Sequence, residues 1–429
     1  MYTSPHLRFV RERIQINNQP LSEDAFAKYF FEIWDRLETA AKTAGHSDPS
    51  SPSTKPVYFR YLTLMAFHCY LCEGVDAAVI ECGIGGEYDS TNVLIKPSVT
   101  GVTSLGIDHT AMLGDTIESI AWHKAGIFKP NVPAFTVPQQ DSALEVLRQR
   151  ANERNTDLTL VPISPAIKDV NLGIAADFQK SNASLAMAIA SEYLTQRGVK
   201  TTVATDSIDS TTSLPLEFRQ GLEASPLKGR FDTRKDRLSK LTWCLDGGHT
   251  LESIEVAGRW FASLVSSISN HAAPSPPSHA HQPTMEDPCI LIFNQQTRDA
   301  DALARRLHAT LASALDDNHP FAQVIFCTNT TYKDTGFRPD LTSINTNADE
   351  IVNLSVQNAL ASTWRKVDPS ADVKVVRTIE EAIMLARETA RQSVADSGTE
   401  AKVLVTGSLH LIGGAIEVLE SEREKAEVE

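Results

Sequence analysis

From Leu241 to the end of the chain, short apolar runs recur, and each stops at polar or glycine residues: LTWCLDGGH at Leu241, CILIFN at Cys289, VIFCTN at Val324, VKVV at Val373 and KVLVTG at Lys402. Runs this short that carry no polar alternation are strands buried on both faces. Stretches of helical character separate them, so the arrangement that buries all of them is a mostly parallel sheet with helices on both sides. The first half repeats the pattern. Ser22 to Leu37 opens on a serine able to cap a helix, and Phe26, Tyr29, Phe30, Ile33 and Leu37 recur at helical spacing. A second helix is expected over Tyr58 to Leu71. The run from Asp76 ends in Glu81 and opens into the glycine-rich Gly83 to Gly86, and a buried strand is expected over Val99 to Leu105. Strand-like Ala134 to Val137, helical Ser142 to Asn152 and helical Ser181 to Leu194 (with Leu185, Ile189 and Tyr193 on one stripe) continue the alternation. The expected fold class is α/β.

With 429 residues the chain is too long for one core and long enough for two. The polar stretch Thr201 to Ser213 precedes the expected boundary near Leu222 to Lys228, which gives units of 1–222 and 223–429. Gly45 to Pro56 and Ser266 to Pro288 are rich in Ser and Pro and read as surface loops. His271, His279 and His281 lack an accompanying Cys or carboxylate pattern for a metal. The final SEREKAEVE reads as a frayed, solvated terminus. A net charge of −14 argues against bulk binding to nucleic acid or anionic lipid, and no apolar run approaches a bilayer span. MYTSPHLRFV lacks a basic stretch followed by an apolar one, so no secretory signal is expected. The six cysteines lie mostly within apolar runs, as reduced thiols do. Cys69 and Cys72 form the only CxxC and read as core of a helix.

Ligands of open α/β sheets sit at the carboxyl ends of strands. The residues falling there are Glu81, Asp108 and His109, Asp246 and His249, Asn294, and Thr406 to Ser408. Glu81 with His109 could share a divalent cation. Alternatively, Glu81 caps the next turn and His109 is a satisfied loop histidine. Lys124, in IAWHKAGI, has apolar neighbours, where an amine can be modified or act as a nucleophile; its stem could equally carry the charge to the surface. Arg230 could clamp a phosphate or pair with Asp232.

Taken in order, TSPHL with VRERI, ECGIGGEYDSTN, SLGIDHT, IAWHKAGIFK, FQKSNASLA, GR at Gly229, LDGGHT, FN at Phe293 and VTGSLHLIGG resemble the folylpolyglutamate synthases of the Mur ligase family along nearly the whole chain. The resemblance implies a Mur-ligase-like nucleotide-binding domain joined to a Rossmann-like C-terminal domain, with the site between them. It also implies ATP-dependent addition of L-glutamate to the γ-carboxyl of tetrahydrofolate or its polyglutamates. On this resemblance Ser4, Glu81 and His109 bind Mg²⁺, and Arg230, Asp246, Asn182 and His249 hold ATP. Lys124 corresponds to a lysine that related ligases carry as a carbamate facing a second metal, which puts Lys124 and His109 at the chemistry. A monovalent cation is a further cofactor it allows. The expected state is a monomer acting in the cytoplasm, the mitochondrion or both. Dihydrofolate synthase, with the same chemistry on dihydropteroate, is the alternative activity.

One departure is large. The family's phosphate loop, GTxGKGS, belongs shortly before TSPHL, and no GxxxxGK[ST] occurs in these residues. The N-terminal domain is therefore expected to be truncated at its start. A non-catalytic paralogue is the other reading. The survival of Ser4, Glu81, His109, Lys124, Arg230 and Asp246 favours truncation. LDGGHT in place of the commoner LDGAHN leaves Asp246 and His249 intact.

Overall fold

The apolar runs from Leu241 onward become one sheet. The computed structural model describes residues 1–172, 177–199, 214–225, 228–236, 239–269, 288–296, 298–333, 353–397 and 400–428. They form two units, Met1–His6 with Val10–Ser225, and Leu7–Phe9 with Pro226–Glu429.

In the first unit, β1 (Gln15–Ile16) and β2 (Gln19–Pro20) form a hairpin. Asn17 and Asn18 turn it with positive φ, a conformation asparagine tolerates. The Ser22 hydroxyl accepts the Ala25 N–H at 3.2 Å and starts α1 (Glu23–Thr43). Its stripe is as the spacing predicts: Tyr29 and Ile33 are buried, and Phe26, Phe30 and Leu37 pack beside them against α2 (Tyr58–Glu73). Gly74, with φ of 61°, ends α2 in the left-handed cap that glycine supplies.

A parallel sheet of β3 (Thr100–Val102), β4 (Ala134–Thr136) and β5 (Leu158–Leu160) follows. With it come α3 (Thr110–Leu113), α4 (Ile117–Lys124), α5 (Asp141–Glu153), α6 (Asp177–Gln196) and α7 (Leu216–Glu223). Ala121 of α4 and Leu147 of α5 pack with Val102 and Ala134, while Leu185 and Ala188 of α6 pack with Phe135 and Val137. The two faces of the sheet are thus covered by different helices, as the alternation requires. Gly101 permits this approach, because a Cβ there would meet Ile189 Cδ1 at 2.4 Å.

The second unit is a six-stranded sheet in the order β10-β9-β8-β11-β7-β6. Its strands are β6 (Asp232–Lys235), β7 (Leu241–Asp246), β8 (Cys289–Phe293), β9 (Gln323–Phe326), β10 (Asp372–Val375) and β11 (Ala401–Thr406). All neighbours are parallel except β6 with β7. Alternate residues serve opposite faces. Leu241, Trp243 and Leu245 pack with α11 (Ile379–Ser397) and α12 (Leu409–Val428). Cys244, Leu291 and Phe293 pack with α8 (Leu251–Ser269), α9 (Ala300–Leu315) and α10 (Ser355–Val367). Leu7 belongs here too: a Cβ on Gly413 would come within 1.8 Å of the Leu7 carbonyl oxygen.

Three readings of the sequence are corrected. The run from Asp76 is not a ladder strand; Ile80 only bridges Tyr2, through Tyr2 N–H to Val79 and Glu81 N–H to Tyr2. With one partner contact, Val79 stays 68% exposed. The charged end does not fray but continues α12 to Val428, since Glu, Arg, Lys and Ala are good helix formers. Cys72 is exposed rather than core, although Cys69 beside it is buried. Thr201 to Ser213 and the histidines of the Ser266 to Pro288 loop lie outside the described residues.

Candidate active site

The glycine-rich turn after Glu81 is fastened by a residue that the motif contains but the sequence reading did not single out. Asp89 accepts the N–H groups of Gly83 and Ile84, both at 3.0 Å, through one oxygen. Its other oxygen takes Thr91 N–H at 2.9 Å and the Thr91 hydroxyl at 2.6 Å. An aspartate that ends a glycine turn and precedes Ser-Thr-Asn is a legible local cap, so the signal was present.

The turn is pressed onto the end of α4. A Cβ on Gly86 would meet the carbonyl oxygens of His123 and Lys124 at 2.8 Å each, and one on Gly126 would meet Glu87 Cα at 2.3 Å. Glu87 N–H donates to the His123 carbonyl at 2.8 Å. The Glu87 carboxylate pairs with Arg150 and, at 3.1 Å, with Arg154 of the loop after α5. Asn92 Nδ2 donates to the Glu87 and Gly126 carbonyls, both at 3.1 Å. The residues around Glu81 and the helix ending in Lys124 therefore form one fastened block. Gly86→Ala is expected to destabilise the first unit by about 1–3 kcal/mol through overpacking against backbone. Gly106→Ala, where a Cβ meets nothing within 4 Å, is expected to stay within about 0.5 kcal/mol. Urea denaturation of the two variants compares them.

Ser4 and Glu81 come together: Ser4 N–H donates to Glu81 Oε2 at 2.8 Å. Lys124 is the last residue of α4 and half-buried. Burial raises the pKa of the Cys82 thiol, against the opposing pull of the Thr91 hydroxyl that donates to its sulfur at 3.3 Å. His109 immediately precedes α3. It caps α3 with φ of 53°, its N–H bonds Asp108 Oδ1 at 2.6 Å, and its Nε2 lies 3.7 Å from Asp108 Oδ2. Asn182, on α6, donates to Gln179 Oε1 at 3.2 Å.

In the second unit Asp246 ends β7 with 2% exposure. Its oxygens accept Phe231 N–H at 3.1 Å and Gly248 N–H at 2.9 Å. Burial pushes its pKa above the usual carboxylate range, against the opposing pull of Arg230 and these backbone donors. Asp232, the other candidate partner of Arg230, is held by Arg234 at 2.9 Å. His249 Nδ1 lies 2.8 Å from the Gly247 carbonyl, and Ser253 Oγ accepts its N–H. Asn294 is fully buried between Asn329 and Gln357 side chains, each 2.9 Å away.

An α/β unit with a fastened glycine turn and a Rossmann-like unit with a buried strand-end aspartate define a chain of Mur-ligase fold. Among solved structures it resembles Mycobacterium tuberculosis folylpolyglutamate synthase complexed with ADP and AMPPCP, with a TM-score of 0.67 and 22% identity over 97% of this chain and 84% of that one. The apo form of the L. casei enzyme gives a TM-score of 0.64 and 22% identity, over 98% of this chain and 83% of that one. No protein-family model matches the chain. Curated relatives are far nearer in sequence. Folylpolyglutamate synthase of Neurospora crassa is 44% identical over 98% of this chain and 74% of its own length, and that of Saccharomyces cerevisiae is 44% identical over 98% and 71%. The chain belongs to the folylpolyglutamate synthase family of ligases.

Proposed function

We propose that these residues form the body of an ATP-dependent ligase that joins L-glutamate to the γ-carboxyl of tetrahydrofolate and its polyglutamates, acting as a monomer in the cytoplasm, the mitochondrion or both. The observation that carries this is the 44% identity to folylpolyglutamate synthases across 98% of the chain. A related solved structure is a complex with AMPPCP and folate, at 22% identity.

The donor set fits Mg²⁺. Glu81 supplies a solvent-exposed carboxylate and Ser4 a hydroxyl on the neighbouring segment, oxygen ligands that leave room for the waters and phosphate oxygens this ion keeps. His109 is the third ligand in this assignment. Mg²⁺, when bound, neutralises charge on the phosphoryl oxygens. Arg230, Asp246 and His249 of the second unit are assigned to the nucleotide, and Asn182 of the first unit is assigned to it on the resemblance alone. Asp246 is buried and held by the Phe231 and Gly248 N–H groups, so its carboxylate is fixed before the ligand arrives.

The chemistry makes a carboxylate electrophilic. ATP gives its γ-phosphoryl group to a γ-carboxylate oxygen of the folate, forming an acyl phosphate and ADP. The glutamate amine then attacks the acyl carbon, loses a proton, and phosphate departs with the C–O bond electrons. Both steps crowd anions together, so positive charge and fixed dipoles at the phosphoryl group supply much of the stabilisation.

Met1–Glu429 contains no GxxxxGK[ST] loop and is expected to show no turnover by itself. Preceded by the N-terminal segment of the Neurospora crassa relative, ahead of the region matching Thr3, it is expected to incorporate labelled glutamate into tetrahydrofolate only with ATP. Robust ligation by Met1–Glu429 alone would overturn the need for the loop, and no ATP-dependent ligation by the fusion contradicts the proposal. In the fusion, Glu81→Gln and His109→Ala are each expected to raise the Mg²⁺ concentration needed for half-maximal turnover. Unchanged Mg²⁺ titrations in both variants remove the metal assignment.

A further inference from the structure

Away from these residues, α1 and α2 bring three potential metal ligands to one point. Glu32 comes from α1, while His68 and Cys72 stand one turn apart on α2. His68 Nε2 lies 2.6 Å from Glu32 Oε2, and Cys72 Sγ lies 3.7 Å from each of the two ring nitrogens. One ligand atom from each of the three lies within 4.8 Å of the others. The imidazole is held in place: it is 8% exposed and meets the Tyr29 ring edge-on at 5.8 Å. Cys72 is exposed, so an ion has an entry path. Cys69 takes no part, being fully buried in the apolar contact of the two helices.

We propose that Glu32, His68 and Cys72 bind a Zn²⁺ ion that ties α1 to α2. The ligand types are those of zinc, and ideal bond lengths to sulfur and nitrogen at a tetrahedral angle separate the two atoms by about 3.6 Å. Because Sγ is equally far from both ring nitrogens, the exposed Cys72 side chain has to turn toward Nε2 to reach an ion held there. Entry of the ion replaces the His68 to Glu32 hydrogen bond, and the carboxylate has only to move back by well under an ångström, which its 39% exposed side chain allows. Cys72 gives up its thiol proton to solvent as the metal–sulfur bond forms. Three protein ligands leave a fourth position to solvent or to an outside group. Mg²⁺ is a poor fit, because thiolate and imidazole select softer metals. The hydrogen bond between His68 and Glu32 by itself satisfies one imidazole nitrogen, and helix spacing brings Cys72 beside the ring; what carries the assignment is the meeting of three zinc-type ligands within 4.8 Å.

The test is Co²⁺ titration of Met1–Glu429, reading the thiolate-to-cobalt charge-transfer absorption, followed by displacement with Zn²⁺. One equivalent of Co²⁺ is expected to produce the band and Zn²⁺ to abolish it. Cys72→Ser is expected to lose the band and weaken Zn²⁺ binding by more than about 100-fold, beyond the cost of disturbing only the groups around a metal's ligands. Cys69→Ser is the control and should retain both. Zn²⁺ should also raise the thermal midpoint of the wild type but not of Cys72→Ser. Absence of the band in the wild type, or its survival in Cys72→Ser, overturns the proposal. Circular dichroism of each variant without metal verifies that it is folded.

Discussion

Lys124→Ala, in the fusion carrying the N-terminal segment of a relative, is expected to lower turnover by about 100- to 1,000-fold, the scale on which loss of one fixed charge at a reacting centre is felt. The expectation rests on the proposed carbamate: the lysine amine adds to CO₂, releases a proton and becomes an anion where metal ligation needs one. Position supports it. Lys124 ends α4, the helix end against which the glycine turn is pressed. A short carboxylate such as acetate, added to the Ala variant, should recover part of the activity by occupying the vacated volume with the right charge. Lys124→Arg should remain inactive, because it keeps positive charge where the carbamate would be negative. Full activity in the Arg variant would make Lys124 an ordinary helix-end cation. Loss of activity in both, without carboxylate rescue, would tell against the carbamate.

Asp236→Ala should produce the largest loss of stability, about 3–5 kcal/mol in the second unit, as expected when one member of a buried ion pair is removed. Asp236 Oδ2 accepts Arg387 Nε at 2.9 Å and Trp243 Nε1 at 2.8 Å, and its Oδ1 accepts Ser239 N–H at 2.9 Å. The pair is enclosed, with side-chain exposures of 8% for Arg387 and 1% for Asp236. Truncation thus takes the carboxylate away from a guanidinium that water cannot readily reach. Adding Arg387→Met should recover part of the loss, because the uncompensated charge goes with it. Contrast Arg259 with Glu255 on the surface of α8, where Arg259 is 70% exposed; breaking that pair should cost less than about 1 kcal/mol. Urea denaturation of the four proteins orders them. Equal losses for the buried and surface pairs would contradict this reading.

What the sequence carried best was the second unit. Five apolar runs became five parallel strands; the inner four are buried on both faces, as length and lack of alternation require, while edge strand β10 exposes Asp372 and Lys374. The antiparallel β6 went unread; its alternating, half-exposed DTRK looks like loop when its partner β7 is unknown. The run before Glu81 misled for the converse reason. Its composition is that of a strand, but a ladder needs neighbours, and composition does not say whether they are there. At the site, Glu81, Lys124 and Asp246 were readable as polar residues at strand ends or among apolar neighbours. Asp89 caps its own turn through neighbouring N–H groups and was legible as a local cap, whereas Glu87 pairs with arginines up to 67 residues away, which is visible only in three dimensions. The same holds for Glu32. The spacing of His68 and Cys72 places them on one helix face, but only the packing of α1 on α2 delivers the third ligand.

The account's central claim is that folate is activated as an acyl phosphate, and oxygen transfer tests it most directly. Tetrahydrofolate labelled with ¹⁸O in the γ-carboxylate is converted by the fusion with ATP and glutamate, and the phosphate released is examined by mass spectrometry. The account predicts one ¹⁸O atom in each phosphate formed, with ADP as the nucleotide product and the new amide retaining the other labelled oxygen. Unlabelled phosphate, or AMP with pyrophosphate in place of ADP, would contradict it.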